Sequence, residues 1–184
     1  MIRTARLVLR PFTDMDREPF FALNTHPLVV EQLGQSPTRA HSDAVVDLVG
    51  EELAREGFGL WAVEVEGGPP FVGMVGLHRV QPSLPCAPAV EAAWRLHPDT
   101  WGQGYATEAA RASLHHGFDT VGLDEIVAFT GRGNTRSQAV MTRLGMVHDP
   151  GADFDHPGLP PENPLRAHVL YRVTPSQLAP TVAS

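Results

Sequence analysis

The apolar and polar positions of the chain change period repeatedly, and the clearest change lies in Val90–Phe118. Val90, Ala92, Trp94 and Leu96 alternate with Glu91, Ala93 and Arg95, the pattern of a strand with one buried face. His97, Pro98 and Asp99 break it, and the turn Trp101-Gly102-Gln103-Gly104-Tyr105-Ala106 follows. Ala106, Ala110, Leu114, Phe118 and Val121 then recur every three or four positions, as on the buried stripe of a helix. Gly122 suits the stop of that helix.

Elsewhere the same reading predicts a first strand over Arg6–Arg10, closed by Pro11. A helix is expected over Asp14–Asn24 with Pro19 in its first turn, then a short helix over Pro27–Leu33. Ser42 or Asp43 is expected to cap a third helix that ends at Gly57. Gly59–Glu66 and Phe71–Val80 form a hairpin about Gly67-Gly68-Pro69-Pro70. Glu125–Thr130 is a strand, and Asn134–Leu144 a helix with Gly145 just past it. Met146 and Val147 begin another strand. Asp149–Arg166 reads as a long polar loop, Ala167–Val173 as the last strand, and 174–184 as a frayed tail. There is no internal repeat, and this succession of elements predicts an α/β sheet of mixed direction.

A length of 184 residues suits one domain, 1–184, with a single core. The net charge of −7 argues against a nucleic-acid binder. All 14 basic residues are arginine, which excludes lysine as Schiff-base former or general base. Cys86 is the only cysteine, so no intrachain disulfide can form; it reads as an incidental loop residue among Pro82, Pro85 and Pro88. No signal-peptide core and no apolar run of transmembrane length is present, so a cytoplasmic protein with no membrane partner is expected.

The glycine turn carries the chemistry. Glycines permit a sharp turn and close approach of a ligand, and the first N–H groups of the following helix are unpaired and partly positive. Together they form a phosphate site. There is no G-x-G-x-x-G and no G-K-[ST]. Taken alone, Gly102-x-Gly104 fits a phosphate site and a purely geometric turn equally.

Four segments in order carry a resemblance: Thr4–Arg10, Val72–Leu77, Trp101–Ala109, and Asn134–Ser137 followed by Leu144-Gly145-Met146. From Thr4 to about Tyr171 the chain resembles the GNAT N-acetyltransferase superfamily, and within it the branch acetylating ribosomal-protein N-termini (RimJ/RimL-like). Trp101 stands where that superfamily often has Gln or Arg. The resemblance implies a mixed, mostly antiparallel central sheet with flanking helices. Its fourth and fifth strands, here Ala89–Leu96 and Glu125–Thr130, would splay into a slot for acetyl-CoA, and no metal is implied. The cofactor turn would be Trp101, Gly102, Gln103, Gly104, Tyr105, Ala106 and Thr107. The pyrophosphate would meet the N–H groups of Gln103 to Thr107, and the pantetheine would pair with Leu96. Asn134 and Ser137 would complete the cofactor site, and a homodimer is the family expectation.

Acetyl transfer to an amine needs a base, an oxyanion donor and an acid or solvent for the leaving thiolate. The base candidates are Glu91, His97 and His78. Against these stand a solvated strand carboxylate for Glu91 and a loop residue before Pro98 for His97. The Leu96 N–H is the family's oxyanion candidate, and an ordinary ladder hydrogen bond is its alternative. Asn134 could touch the cofactor or cap its helix. Ser137 matches the position that meets the leaving sulfur, or is simply a first-turn polar residue. Asp153, Asp155, His156 and His168 fit no zinc spacing.

The resemblance implies acetyl transfer in a ternary complex with a protein or peptide N-terminal α-amine as acceptor. A small amine, which the acidic loop Asp149–Glu162 could receive, and a non-catalytic acyl-CoA-binding protein are the alternatives.

Overall fold

A computed structural model describes residues 1–178. In chain order the elements are β1 (Ile2–Arg3), β2 (Leu7–Arg10), α1 (Arg17–Thr25), α2 (Pro27–Leu33), α3 (Arg39–Glu56), β3 (Leu60–Val65), β4 (Gly73–Arg79) and β5 (Val90–Leu96). They continue with α4 (Tyr105–His115), β6 (Ile126–Gly131), α5 (Thr135–Arg143), β7 (Val147–His148), β8 (Phe154–Asp155) and β9 (Ala167–Val173).

The strands form one sheet in the order β1-β2-β3-β4-β5-β6-β9-β7, with β8 added on β9. Every pairing is antiparallel except β5 with β6. β4 and β5 stay in register from Gly73↔Leu96 to Arg79↔Val90. β5 and β6 meet at a single pair, Glu91↔Val127, and then part. The expected splayed pair is therefore present.

Helices cover both faces. α4 and α5 pack Ala109, Leu114, Met141 and Leu144 against Trp61, Val75, Leu77 and Ala92. On the other face, α1 and α3 pack Phe20, Leu23, Val46 and Val49 against Leu60 and Met74. This second layer changes the meaning of β5. Of Glu91, Ala93 and Arg95, read from alternation as the open face, Ala93 packs with the α1 and α3 cluster and Arg95 bonds Asn24 of α1, and Glu91 is only 9% exposed.

The entry to α1 is fixed by charge. Asp16, buried, accepts from Arg10 Nη1 at 2.7 Å and from the Thr13 amide at 2.8 Å.

Four local expectations are corrected. α3 begins at Arg39, with Thr38 Oγ1 accepting from the His41 amide at 3.2 Å, so Ser42 lies inside the helix and is buried. Thr38 has the same capping chemistry as Ser42 and follows Pro37 directly, so the helix starts one turn earlier. α4 is regular only to His115, and His116–Val121 forms a π turn before Gly122. The apolar stripe continues through both, which is why the sequence reads as one helix. The 149–166 segment is not all loop: Pro150–Ala152 makes a 3-10 turn and Phe154–Asp155 pairs with β9. After β9, Thr174–Leu178 forms a turn in which Leu178 packs on the core, and 179–184 of the expected frayed tail lie outside the described residues. No helix among the described residues is long and apolar enough to cross a membrane.

Candidate active site

The slot follows from hydrogen-bond parity. The His97 amide donates to Val72 O at 2.8 Å and the Val80 amide to Ala89 O at 2.9 Å. In an antiparallel ladder these fix the odd residues of β5 as the ones bonded to β4. The peptide groups of Ala92, Trp94 and Leu96 therefore point away from β4, towards β6. Because β6 stays in register only at Val127, the Trp94 and Leu96 amides face a widening gap.

The wide end of the gap runs into the glycine turn. Gly102 and Gly104 take φ of 78° and 82°, a region that side chains rarely adopt. A Cβ on Gly102 would meet nothing within 4 Å, so the backbone is open to approach. Gly104 is the N-cap of α4 and offers no side-chain cap, which leaves the first-turn N–H groups of Tyr105, Ala106 and Thr107 unclaimed by one. Glu108 anchors this end, accepting from Thr4 Oγ1 at 2.6 Å and from Arg6 Nε at 2.7 Å. Burial pushes its carboxyl up, but the hydrogen bonds from Thr4 and Arg6 bring it below its ordinary value.

Trp101 joins the turn to the strand. Its Nε1–H donates to Leu96 O at 2.8 Å, and the Arg136 guanidinium stacks 4.5 Å over its ring. Across the gap, Asn134 Oδ1 caps α5 by accepting from the Ser137 amide at 3.1 Å, and Asn134 Nδ2 donates to Thr130 Oγ1 at 3.1 Å. Ser137 Oγ accepts from Trp94 Nε1 at 3.3 Å. That leaves the serine's own proton free to point elsewhere.

At the narrow end a buried carboxylate meets a half-buried imidazole. His78 and Glu91 are register partners on β4 and β5, and His78 Nε2 lies 3.1 Å from Glu91 Oε2. His78 Nδ1 is 3.2 Å from Arg79 O, which can only accept. A neutral ring can satisfy one of these acceptors; the imidazolium satisfies both. Burial pulls the His78 pKa down, and the hydrogen bond and charge of Glu91 outweigh it, so the net shift is upward.

The model of the acetyltransferase (GNAT) domain matches residues 6–147. The chain belongs to the GNAT acetyltransferase family. It is 31% identical over 180 residues to the FsC-acetyl coenzyme A-N(2)-transacetylase of Aspergillus fumigatus, covering 94% of this chain and 75% of that one. An acetyltransferase structure from Agrobacterium tumefaciens superposes with a TM-score of 0.75 at 26% identity, covering 94% of this chain and 92% of that one. The ribosomal α-N-protein acetyltransferase RimL, in complex with coenzyme A, superposes with a TM-score of 0.75 at 14% identity over 93% and 95% of the two chains. That last likeness shows the fold and leaves the RimJ/RimL branch to the resemblance of segments.

The protein is thus an N-acetyltransferase of the GNAT family, and the family uses acetyl-CoA. Its residues fit that molecule: slot-facing amides for the pantetheine, and an open Gly102 with helix N–H groups unclaimed by a side-chain cap for the pyrophosphate.

The other base candidate, His97, lies elsewhere. It is six residues along β5 from Glu91, about 20 Å at the usual rise. Its Nδ1 accepts from the Asp99 amide at 3.4 Å and its ring meets His26 with centroids 5.4 Å apart. Three aspartates of the acidic loop already have basic partners. Asp153 contacts His148 Nε2 at 2.9 Å, Asp155 pairs with Arg166 at 3.1 Å, and Asp149 with Arg172 at 2.8 Å. Sequence reasoning missed Arg6, Arg136, Trp94 and Arg95. Arg6 touches the turn through Gln103 O at 3.0 Å and stacks 4.8 Å over Tyr105. It stands ninety-seven positions before Gln103, and no local pattern signals such a contact.

Proposed function

We propose that this GNAT enzyme acetylates the primary amine of a small acceptor by direct attack within a ternary complex, with Glu91 as the base. The observation that carries this is the pairing of the buried Glu91 with the half-buried His78 at the narrow end of the slot. Acetyl-CoA supplies the activated acyl group and the thiolate leaving group. Glu91 takes the ammonium proton, directly or through a water. His78, bonded to Arg79 O on its far side, holds the carboxylate in place. The slot-facing N–H of Leu96 is the donor for the developing oxyanion. Ser137, whose oxygen is already committed to Trp94, has its proton available for the departing thiolate. A non-catalytic acyl-CoA binder would have no use for a buried carboxylate held in this way.

The branch resemblance favours a protein N-terminus as acceptor. Two observations favour a small amine instead. Beside β5 lies a half-open pocket of about 210 Å³ bounded by α1, the end of α2 and α3, a volume suited to a small molecule. In addition, β8 brings Phe154 against Phe129 with ring centroids 5.4 Å apart, closing the neighbouring face near Val80 and Leu84.

The test is incubation with acetyl-CoA and a panel of amino acids, polyamines, aminoglycosides and N-terminal peptides, with products identified by mass spectrometry. Mass detection avoids background from Cys86 with a thiol dye. Acetylated small amines, lost in Glu91→Gln, support the reading. Acetylation of peptides alone would overturn the small acceptor, and acetylation of nothing would overturn the function.

A further inference from the structure

The cavity beside β5 ends at a charge with no counter-charge. Its apolar side is formed by Phe20, Leu33 and Val45, and its polar end by Asn24, Ser42 and Arg95, with Gln35 and His41 also on its wall. No aspartate or glutamate lines it. Arg95 projects from the inner face of β5, and its Nη1 donates to Asn24 Oδ1 at 2.5 Å. Among the described residues it has no carboxylate partner. Burial pulls its pKa down to about 10. A guanidinium carries five N–H donors, so four remain here without a protein acceptor.

Its neighbours point the same way. Ser42 is 1% exposed and its Oγ has no hydrogen-bond partner. Asn24, also buried, spends its carbonyl on Arg95, which leaves its Nδ2 donors for the cavity. Folded proteins satisfy buried hydroxyls, because leaving them bare is costly. Here a half-buried cation with no carboxylate partner, a buried unpaired hydroxyl and an amide converge on one space. The set is rich in donors and holds one permanent positive charge, and its acceptors are all neutral. That complements a single carboxylate, which accepts several hydrogen bonds and matches the planar fork of arginine.

We propose that this cavity binds a carboxylate of the acceptor, set several bonds away from the amine that is acetylated. The spacing follows from the strand. Arg95 is four residues from Glu91 on the same face of β5, about 13 Å at the usual rise. An amine at Glu91 and a carboxylate at Arg95 therefore belong to an extended molecule, not to a simple α-amino acid. The inference rests on the reading of Glu91 as the base, and it assigns the substrate class of that site.

The test pairs ligands that differ only in the acid. With acetyl-CoA, wild-type enzyme is given 6-aminohexanoate, its primary amide and glycine. The proposal expects kcat/KM for 6-aminohexanoate to exceed that for the amide by about tenfold or more, with glycine poor. In Arg95→Met the preference collapses to about one while the KM for acetyl-CoA is unchanged. In parallel, hexanoate and hexanamide, which cannot be acetylated, are compared by thermal shift. Hexanoate should stabilise the wild type, hexanamide should not, and Arg95→Met should lose the difference. If Arg95→Met does not fold, Ser42→Ala tests the same place, with hexanoate affinity expected to fall by about three- to tenfold. Hexanoate stabilisation without any turnover would sustain the carboxylate site and sink the assigned activity. Turnover with no preference for the acid, or hexanoate binding unchanged in the variants, would overturn the carboxylate site and leave the activity standing.

Discussion

His78 and Glu91 oppose each other across β4 and β5, with the imidazole Nε2 3.1 Å from the carboxylate Oε2. The pair sits where β6 leaves β5, beside the only register contact of those two strands. A base needs to be within reach of the amine and protected from idle exchange with water, and the closed end of a slot gives both. Glu91→Gln keeps the shape and removes the basicity. We expect kcat to fall by about 10²- to 10⁴-fold, with acetyl-CoA affinity unchanged. Steady-state kinetics with titration of acetyl-CoA by calorimetry checks this.

The same pair makes stability depend on pH. The folded pKa of His78 lies above its ordinary 6.5, because Glu91 outweighs the effect of burial. Its contribution is therefore complete below 6.5 and fades as pH rises through the raised value. Denaturant unfolding of wild type and Glu91→Gln should differ more near pH 6 than near pH 9. An NMR titration should place the His78 midpoint above 6.5 in the wild type and lower in the variant. A difference that grows towards high pH would contradict the pairing.

Gly104 tests the phosphate site. Its φ of 82° disfavours any side chain, and it caps α4 without one. Gly104→Asp adds a negative charge where a negative group is expected. We expect the KM for acetyl-CoA to rise by about tenfold or more, with little change in acceptor KM. Gly104→Ala separates strain from charge, since it shares the backbone cost and should raise that KM far less.

Most elements were legible because their signals are local. The strands, the helix stops at Gly57, Gly122 and Gly145, and the cofactor turn follow from period and turn chemistry. The Asn134 cap was read correctly from residue type alone. What was not legible depends on partners distant in sequence. Glu91 and His78 were separate candidates until register made them one pair. Arg95 looked like a solvent-facing strand residue, because alternation tells two faces apart but not whether a second helical layer covers the polar one. The start of α3 was misplaced because Thr38 and Ser42 both suit a cap. The π turn at His116 was invisible because Phe118 keeps the apolar stripe going.

Asp16 should prove a structural carboxylate. It is 2% exposed and held by Arg10 and Thr13. Burial pushes its pKa up, but these hydrogen bonds bring it below its ordinary 3.8. Its contribution is present above that value and is lost as pH falls through the folded pKa. Asp16→Ala removes the bidentate partner of Arg10 and the acceptor of the Thr13 amide but leaves Glu64 at 3.1 Å from Arg10 Nε, and should cost about 1–3 kcal/mol, read as a loss of denaturant midpoint. A cost below about 1 kcal/mol, the scale of an exposed ion pair, would show that the pair does not anchor α1.

The most direct test of the central claim is acetyl-group transfer itself, followed by mass spectrometry with acetyl-CoA and an amine panel, in wild type and Glu91→Gln side by side. The account predicts an acetylated small amine in the wild type and a loss of about 10²-fold or more in the variant. Equal product from both proteins would remove Glu91 from the chemistry. Acetyl-CoA bound but never turned over with any amine would contradict the account as a whole.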